Sequence, residues 1–281
     1  MALAWWEWQA GLRGQGRTLL MVHATGFHAR VWDQVIHHLP PQHVIALDQR
    51  GHGRSETAPF DSWRDFGQDI AGFAVARDLQ GAIGIGHSMG AHALVQAAAF
   101  EPGRFSQLVL IDPVIPSPAA YHLPPPPAHL VPPASGRKNQ FESAEAMVAR
   151  FAQRPPYAHF HPQSLRDYCL HGLKPAPDAH GENPGHQLAC APDFEASIYA
   201  SARFNPGVYA SVLALQIPVL VIRAAKPHDP KAERFDPDAS PTWPGLAATF
   251  AQGEEIHLPE HCHLVPMQDP ALIAKLIAQR L

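Results

Sequence analysis

The feature that most limits the fold of this 281-residue chain is a set of short, uniformly apolar runs that alternate with helical patterns. The runs are rich in Val, Ile and Leu and lack the polar alternation of a strand with one solvated face. Strands buried on both faces and joined by helices predict a mostly parallel, doubly wound sheet of the α/β class. The runs lie at 18–24, 43–48, 81–86, 105–112 and 217–223, with helical spacing at 31–39, 63–79 and 89–100. We also expect an antiparallel edge strand near the N-terminus, a strand at 254–259 and a closing helix at 269–281.

A proline-rich stretch interrupts this pattern. Residues 113–136 cannot form a central strand or a helix interior, because proline lacks the backbone donor and fixes its φ angle. Short helical candidates follow at 142–154, 162–173 and 193–204. We therefore predict a core of residues 1–115 and 213–281 and an inserted helical, Pro-rich cap of residues 116–212. Ligands of α/β proteins bind at the carboxyl ends of the strands, where this insertion begins.

Composition narrows the class of partner. The formal net charge is −4 and no run of Lys and Arg forms a basic stripe, which argues against a nucleic-acid partner. No apolar stretch reaches about 18 residues, and the first residues lack the pattern of a signal peptide, so we expect no membrane contact. Cys169, Cys190 and Cys262 show no pairing pattern, which favours a reduced, cytoplasmic setting. The sequence does not predict an oligomeric state.

The junction between the run at 81–86 and the helix at 89–100 carries the sequence Gly-His-Ser-Met-Gly. A G-x-S-x-G motif between a strand and a helix places its serine on a sharp turn at the top of the sheet, at the positive end of the helix. We interpret Ser88 as a nucleophile. Two other interpretations stay open. In the first, Ser88 only caps the helix. In the second, the turn binds a dinucleotide and Asp112 binds the ribose, although the glycine spacing is one residue longer than in the phosphate-binding fingerprint.

A nucleophilic serine needs a base, a group that orients the base, and two N–H donors for the oxyanion. The backbone N–H of Met89, which follows the serine, is the first expected donor. The second is the N–H of Thr25, in the loop after the strand at 18–24, where small neighbours let the backbone face a pocket. The sequence therefore predicts an oxyanion hole made by these two groups.

The base should be a histidine late in the chain. His263 precedes an apolar run and a proline-initiated helix that would fix its loop, and His261 is the second candidate. His257 lies within the strand pattern, so packing is its expected role. The spacing of these three histidines fits no common zinc pattern and Pro259 interrupts any helix, so we expect no metal site.

Six segments together resemble the α/β-hydrolase superfamily, in the branch that carries a helical cap. They are LLMVHATGFHARVW, VIALDQRGHGRS, IGIGHSMGAHAL, LVLIDPV, PVLVIR and CHLVPMQDPALIA, which cover the core but not the cap. The resemblance implies that Asp48 and Arg50 hold a structural loop and do no chemistry. One departure is that HAT replaces the usual His-Gly of the oxyanion loop. The resemblance implies chemical roles for four residues: Ser88 as nucleophile, His263 as base, and Thr25 and Met89 as oxyanion donors.

The acid that completes such a triad has two candidates. Asp229 follows the strand at 217–223, where most α/β-hydrolases keep this residue, but Pro227 stands at the expected place and Asp229 comes two positions later. Asp112 directly ends the strand at 105–112, where some haloalkane dehalogenases, which resemble this core, place their acid. A rigidly held acid keeps the histidine in one tautomer, so we prefer Asp112 and keep Asp229 as the alternative.

These residues and the resemblance predict a serine hydrolase that cleaves a carboxylic ester or lactone through an acyl-enzyme, without a metal or organic cofactor. A carbon–carbon bond hydrolase of a ring-cleavage product, a cofactor-free perhydrolase and a non-catalytic binding protein on the same fold are the alternatives. Serine in place of aspartate at the nucleophile position argues against dehalogenase and epoxide hydrolase chemistry. The cap should set the size of a small-molecule substrate. The candidate pocket residues are Phe27, His87, Tyr121, Phe141, Phe151 and Tyr157, with Phe160 and Tyr168 as further cap aromatics.

Overall fold

The computed structural model describes residues 1–123, 133–176, 185–225 and 239–281. In these residues the strands are β1 Trp5–Trp8, β2 Leu19–Val22, β3 Val44–Leu47, β4 Ala82–His87, β5 Phe105–Ile111, β6 Gln140–Phe141, β7 Leu173–Pro175, β8 His186–Leu188, β9 Val219–Ala224 and β10 Gly253–Leu258. The α-helices are α1 Asp33–His38, α2 Arg64–Ala76, α3 Met89–Phe100, α4 Ala144–Phe151, α5 Pro162–His171, α6 Pro192–Ser201, α7 Val208–Ala214, α8 Val265–Gln268 and α9 Pro270–Ala278. None of these helices is long and apolar enough to cross a membrane.

The central sheet has the strand order β1-β3-β2-β4-β5-β9-β10 in the described part of the chain. β1 pairs antiparallel with β3, and the other described pairs of this sheet are parallel. The prediction of a mostly parallel α/β sheet with an antiparallel N-terminal edge strand is confirmed. The carboxyl ends of β2, β4, β5 and β9 therefore meet at one edge of the sheet.

Alternate residues of the central strands face opposite sides of the sheet, and both sides are buried. In β2, Leu19 and Met21 belong to one hydrophobic cluster and Leu20 and Val22 to the other, and all four are fully buried. α1 and α9 complete the first cluster, whereas α2, α3 and α7 complete the second. Helices on both faces explain why the strands appear in the sequence as uninterrupted apolar runs.

α2 and α3 lie close together at Gly67. A Cβ atom at this position would lie 2.7 Å from the Cβ atom of Gln96 and 3.3 Å from the carbonyl oxygen of Ala93. α3 is rich in alanine and is buried from Met89 to Ala98, so it lies against both α2 and the sheet. Gly72 lies on the exposed side of α2, and a Cβ atom there would meet no heavy atom within 4 Å.

β1 and β10 are the two edge strands of the central sheet, and charged side chains contact both of them. In β1, the guanidinium carbon of Arg77 lies 3.9 Å from the ring centroid of Trp5. β10 carries Glu254 and Glu255 in succession, and Glu254 pairs with Arg280 at 2.6 Å. A charged side chain therefore contacts each of the two edge strands.

The chain between β5 and β9 leaves the central sheet. Its described residues form α4, α5 and α6 and a small antiparallel sheet in the order β6-β8-β7. The sequence predicted these helices but not this sheet, because strands of two or three residues are too short to show a period. α7 spans the predicted boundary at residue 212 and packs with α3, so the division into core and cap stays a prediction. Residues 124–132 of the proline-rich stretch lie outside the described residues.

We predict that Gly67→Ala lowers the free energy of unfolding by about 1–3 kcal/mol, because the new methyl group forces α2 and α3 apart. Gly72→Ala on the same helix should raise the free energy of unfolding by about 0.5–1 kcal/mol, since alanine loses less backbone entropy. Urea unfolding followed by circular dichroism measures both values. Equal effects of the two substitutions would contradict the close contact at Gly67.

Candidate active site

The turn between β4 and α3 places Ser88 at the carboxyl edge of the sheet. Ser88 has φ 58° and ψ −122°, a conformation that residues with a side chain rarely adopt. A Cβ atom at Gly86 would lie 2.6 Å from the Cα atom of Ala91, and one at Gly90 would lie 2.3 Å from the carbonyl oxygen of His23. Both glycines of the motif are therefore required by close backbone approach.

The side chains of Ser88, His263 and Asp112 form a continuous hydrogen-bonded chain. Nε2 of His263 lies 3.0 Å from Oγ of Ser88, and Nδ1 of His263 lies 2.6 Å from Oδ2 of Asp112. A carboxylate only accepts hydrogen bonds, so Nδ1–H donates to Asp112 and the bare Nε2 accepts from the Ser88 hydroxyl. The Ser88 side chain makes no capping bond to α3, so the interpretation of Ser88 as a helix cap is wrong.

Asp112 lies just beyond β5, with a positive φ of 42° and no exposed surface. Its N–H continues the ladder to the Ile222 carbonyl at 2.7 Å. Its Oδ1 accepts hydrogen bonds from the Ala224 N–H at 2.9 Å and from the Ser240 hydroxyl at 2.5 Å. These partners leave Asp112 unavailable to a ribose, which removes the dinucleotide interpretation. The alternative acid, Asp229, lies outside the described residues.

The histidines near the chain end have different partners. His87 donates from Nε2–H to the carbonyl oxygen of His263 at 2.8 Å, so it holds the backbone that carries this imidazole. Nε2 of His261 lies 3.5 Å from Asp269, and His257 donates to a backbone carbonyl just after β9. In the residues that the structure describes, no group of three or more His, Cys, Asp or Glu side chains is arranged to hold a metal ion.

The two predicted oxyanion donors lie on neighbouring loops. Met89 is the first residue of α3, and its N–H lies beyond the reach of the helical ladder. Thr25 follows β2 and is buried. In the described chain, no acceptor receives a hydrogen bond from the N–H of either residue. Backbone donors without a partner can stabilise an oxygen that gains negative charge, and this role for Thr25 and Met89 stays a prediction.

Two neutral imidazoles anchor the loop that carries Thr25. His52 accepts the Gly26 N–H on Nε2 at 2.9 Å and donates from Nδ1–H to the Arg50 carbonyl at 2.8 Å. His23 accepts the Gln49 N–H on Nε2 at 3.0 Å. Burial lowers the pKa of His52 to about 4, and burial followed by the nearby His52 lowers the pKa of His23 well below its ordinary value. Both rings therefore remain acceptors at neutral pH.

The loop DQRGHGRS holds this anchor in place. Oδ1 of Asp48 accepts the Ala29 N–H at 2.6 Å and Oδ2 accepts the Arg54 N–H at 2.7 Å, while Arg50 pairs with Asp69 at 2.6 Å. Sequence reasoning named Asp48 and Arg50 but missed His52. The sequence signal that could have identified His52 is its position between two glycines. Glycines have no side chain, so they leave room for the histidine ring to reach another loop.

A cavity opens beside the loop that carries Thr25, and Gly26, Phe27 and Arg137 contribute to its wall. Arg137 donates to Oε2 of Glu195 at 2.5 Å and to the Tyr168 hydroxyl at 2.7 Å. A Cβ atom at Gly26 would lie 2.5 Å from Oε1 of Glu195, so this ion pair lies directly over the loop. The segment between β5 and β9 therefore supplies part of the cavity wall.

Among the residues predicted to line a pocket, Phe27 and Tyr168 line this cavity. Phe151 and Tyr157 stack with ring centroids 4.4 Å apart, and Phe141 lies 5.9 Å from Phe151 in an edge contact. Tyr121 instead packs edge-on against another tyrosine, beside the hydrophobic cluster of α2, α3 and α7. The structure therefore does not bring Tyr121 together with the other cap aromatics, and their contact with a substrate stays a prediction.

Several buried imidazoles make the stability of the protein depend on pH. Burial lowers the pKa of His28 and His87 to about 3 and that of His52 and His92 to about 4. Histidine in an unfolded chain titrates near 6.5, so between roughly pH 4 and 6.5 the unfolded state binds more protons. Stability is therefore lost as the pH falls through this window.

We predict that the free energy of unfolding falls by about 1 kcal/mol for each of these four imidazoles between roughly pH 7 and pH 5.5. Asp48 acts in the opposite direction, because burial raises its pKa to about 6 and the folded state takes up its proton, which offsets roughly one imidazole. Urea unfolding at the two pH values measures the net change. A free energy of unfolding that stays constant or rises toward pH 5.5 would contradict neutral buried imidazoles.

Comparison with known proteins shows similarity in sequence over part of the chain. The chain is 33% identical over 100 residues to lipase LipV of Mycobacterium tuberculosis, covering 34% of this chain and 37% of that protein. It is 37% identical over 105 residues to a non-heme chloroperoxidase of Streptomyces lividans, covering 36% and 38% of the two proteins. The chain thus spans less than half the length of these curated relatives.

Similarity in structure and in family pattern extends over nearly the whole chain. The crystal structure of E-2-(acetamidomethylene)succinate hydrolase superposes with a TM-score of 0.73 at 23% identity, covering 94% of this chain and 91% of that chain, which shows a shared fold. The pattern of the alpha/beta hydrolase family matches residues 19–276. From β2 to α9 the sequence follows this family, and the chain belongs to it.

Proposed function

We propose that this hydrolase cleaves a carboxylic ester or a lactone of a small molecule through an acyl-enzyme on Ser88. The observation that carries the proposal is the unbroken path from the Ser88 hydroxyl through His263 to Asp112, with distances of 3.0 and 2.6 Å. All three residues are less than one tenth exposed. Nucleophile, base and orienting acid in this order are what activation of a serine requires.

The proposed reaction begins with proton transfer. Nε2 of His263 accepts the Ser88 proton as Oγ attacks the carbonyl carbon, and the carbonyl oxygen gains the negative charge. The N–H groups of Thr25 and Met89 stabilise this oxygen. His263 then returns the proton to the leaving alkoxide oxygen, the C–O bond breaks, and the acyl group remains on Ser88. With a lactone, the alcohol released stays attached to the acyl group.

Water completes the cycle. His263 accepts a proton from a water molecule, the hydroxide attacks the acyl carbon, and the proton passes to Ser88 Oγ as the acid product leaves. Asp112 holds Nδ1–H throughout and stabilises the imidazolium that forms twice in each cycle. The relative named a lipase supports an ester as the substrate class.

The inserted segment and the cellular location are the subjects of two further proposals. We propose that the segment 116–212 acts as a cap that limits substrate size, which its contribution to the cavity wall at Arg137 supports. We also propose a cytoplasmic location, which the buried thiols of Cys169 and Cys190 support. A panel of alkyl esters, aryl esters, lactones and ring-cleavage diketones would separate ester hydrolysis from carbon–carbon bond hydrolysis.

We predict that Ser88→Ala lowers kcat on a p-nitrophenyl ester by roughly 10⁴-fold, because the nucleophile is lost. A fluorophosphonate probe should add one equivalent of mass to the wild-type protein, on Ser88. Ser164→Ala is the matched control, since Ser164 is fully buried in α5 and its hydroxyl has no partner among the described residues. Labelling of another serine, or unchanged turnover by Ser88→Ala, would contradict the proposed nucleophile.

We predict that Asp112→Asn lowers kcat by roughly 10⁴-fold, because an amide in place of the carboxylate favours the wrong tautomer of His263. Asp229→Asn should retain nearly full kcat. Circular dichroism should show that both variants keep the fold of the wild type. The assignment of the acid is wrong if Asp229→Asn loses activity and Asp112→Asn does not.

A further inference from the structure

We propose that Ser240 is a positioning residue of the catalytic apparatus, which holds the Asp112 carboxylate in the orientation and charge state that His263 requires. This inference rests on the proposed function, because it assigns a role relative to the Ser88–His263–Asp112 chain. The loop after β9, where most members of the family place the acid, here supplies a hydroxyl donor to an acid just beyond β5.

The contact between the two side chains is short and fully buried. The Ser240 hydroxyl donates to Oδ1 of Asp112 at 2.5 Å, and the two residues are 1% and 0% exposed. A hydrogen bond to an ionised acceptor is shorter and stronger than one between neutral groups. Since Asp112 has no exposed surface, its charge depends on the donors that the protein supplies.

Ser240 is itself fixed by the chain that follows Asp112. The Thr242 hydroxyl donates to the carbonyl of Pro113 at 2.7 Å, and the Trp243 N–H donates to the carbonyl of Ile115 at 3.1 Å. The Thr242 N–H donates to Oγ of Ser240 at 3.2 Å, which leaves the Ser240 proton for Asp112. The donor is therefore held in place before any substrate binds.

The two oxygens of Asp112 have separate partners. Oδ2 faces Nδ1–H of His263, while Oδ1 accepts from Ser240 and from the Ala224 N–H at 2.9 Å. The Thr242 hydroxyl is also 3.2 Å from Oδ1, but its one proton is used in the shorter bond to the Pro113 carbonyl. Ser240 is thus the side-chain donor that sets the plane of the carboxylate.

Removal of the Ser240 hydroxyl should change proton binding at the site. With one donor fewer, more negative charge faces His263, so the protonated imidazole becomes more favourable and the acidic limb of kcat/KM moves to higher pH. The nearest other titratable ring is His87, 5.1 Å from His263 between ring centroids. Burial lowers the pKa of His87 to about 3, so it stays neutral and does not contribute to that limb.

The test compares pH profiles of variants on one chromogenic ester. Ser240→Ala should lower kcat roughly 10-fold and raise the midpoint of the acidic limb by roughly one pH unit, the size expected for one charge-assisted hydrogen bond. Ser240→Thr keeps the hydroxyl and should restore the wild-type midpoint. Ser106→Ala is the matched control, because Ser106 donates to the Gly81 carbonyl at the opposite end of β5.

A purely structural role for Ser240 would lower the melting temperature of Ser240→Ala and leave the midpoint of the acidic limb unchanged, and that outcome overturns the inference. If Ser240→Ala does not fold, Ser240→Cys replaces it, since the thiol is a weaker donor of similar size and should give an intermediate midpoint. A wild-type midpoint in Ser240→Cys also overturns the inference. Unchanged turnover by Ser88→Ala overturns the proposed function and this inference together. If turnover depends on Ser88 but the midpoint of the acidic limb in Ser240→Ala equals that of the wild type, only the inference is overturned.

Discussion

The carboxyl edge of the sheet, where the candidate site lies, depends on how closely the start of α3 approaches the end of β2. Gly90 lies against the carbonyl oxygens of Val22 and His23, at distances that no side chain at this position would allow. Met89 and Thr25 each lie within two residues of this contact. The start of α3 and the loop after β2 are therefore brought together by backbone contact alone, without any side chain that would have to be oriented.

The buried polar groups of the site are of two kinds, neutral histidine rings and one aspartate. His23, His52 and His87 lie in surroundings that disfavour a proton, and each makes a bond that requires or permits the neutral ring. Asp112 is equally buried, and its two oxygens accept hydrogen bonds from the Ala224 N–H, the Ser240 hydroxyl and the His263 ring. The site therefore combines one fully buried, hydrogen-bonded carboxyl group with several neutral imidazole rings.

Local patterns in the sequence were sufficient for the elements that position the site. The bounds of α3 at 89 and 100 follow from the glycine-serine turn before it and the end of its apolar run, and the structure places His263 and Asp112 beside Ser88. Ser240 could not be found in this way, because it lies 128 positions from Asp112 and one serine in a loop has no periodicity. The short strands of the inserted segment were missed for a related reason, since their pairing is defined only by partners distant in sequence.

The edges of the central sheet have a consequence for the protein in a crowded solution. An open strand edge is a template on which another chain can add a strand, and flat apolar edges promote aggregation. On β10, Glu254 pairs with Arg280 and Glu255 pairs with Arg223, so this edge strand carries ion pairs along its length. On β1 the Arg77 guanidinium lies over Trp5, so a large apolar ring is covered by a cation. Growth of the sheet by edge pairing is therefore disfavoured on both sides, although its interior is almost wholly apolar.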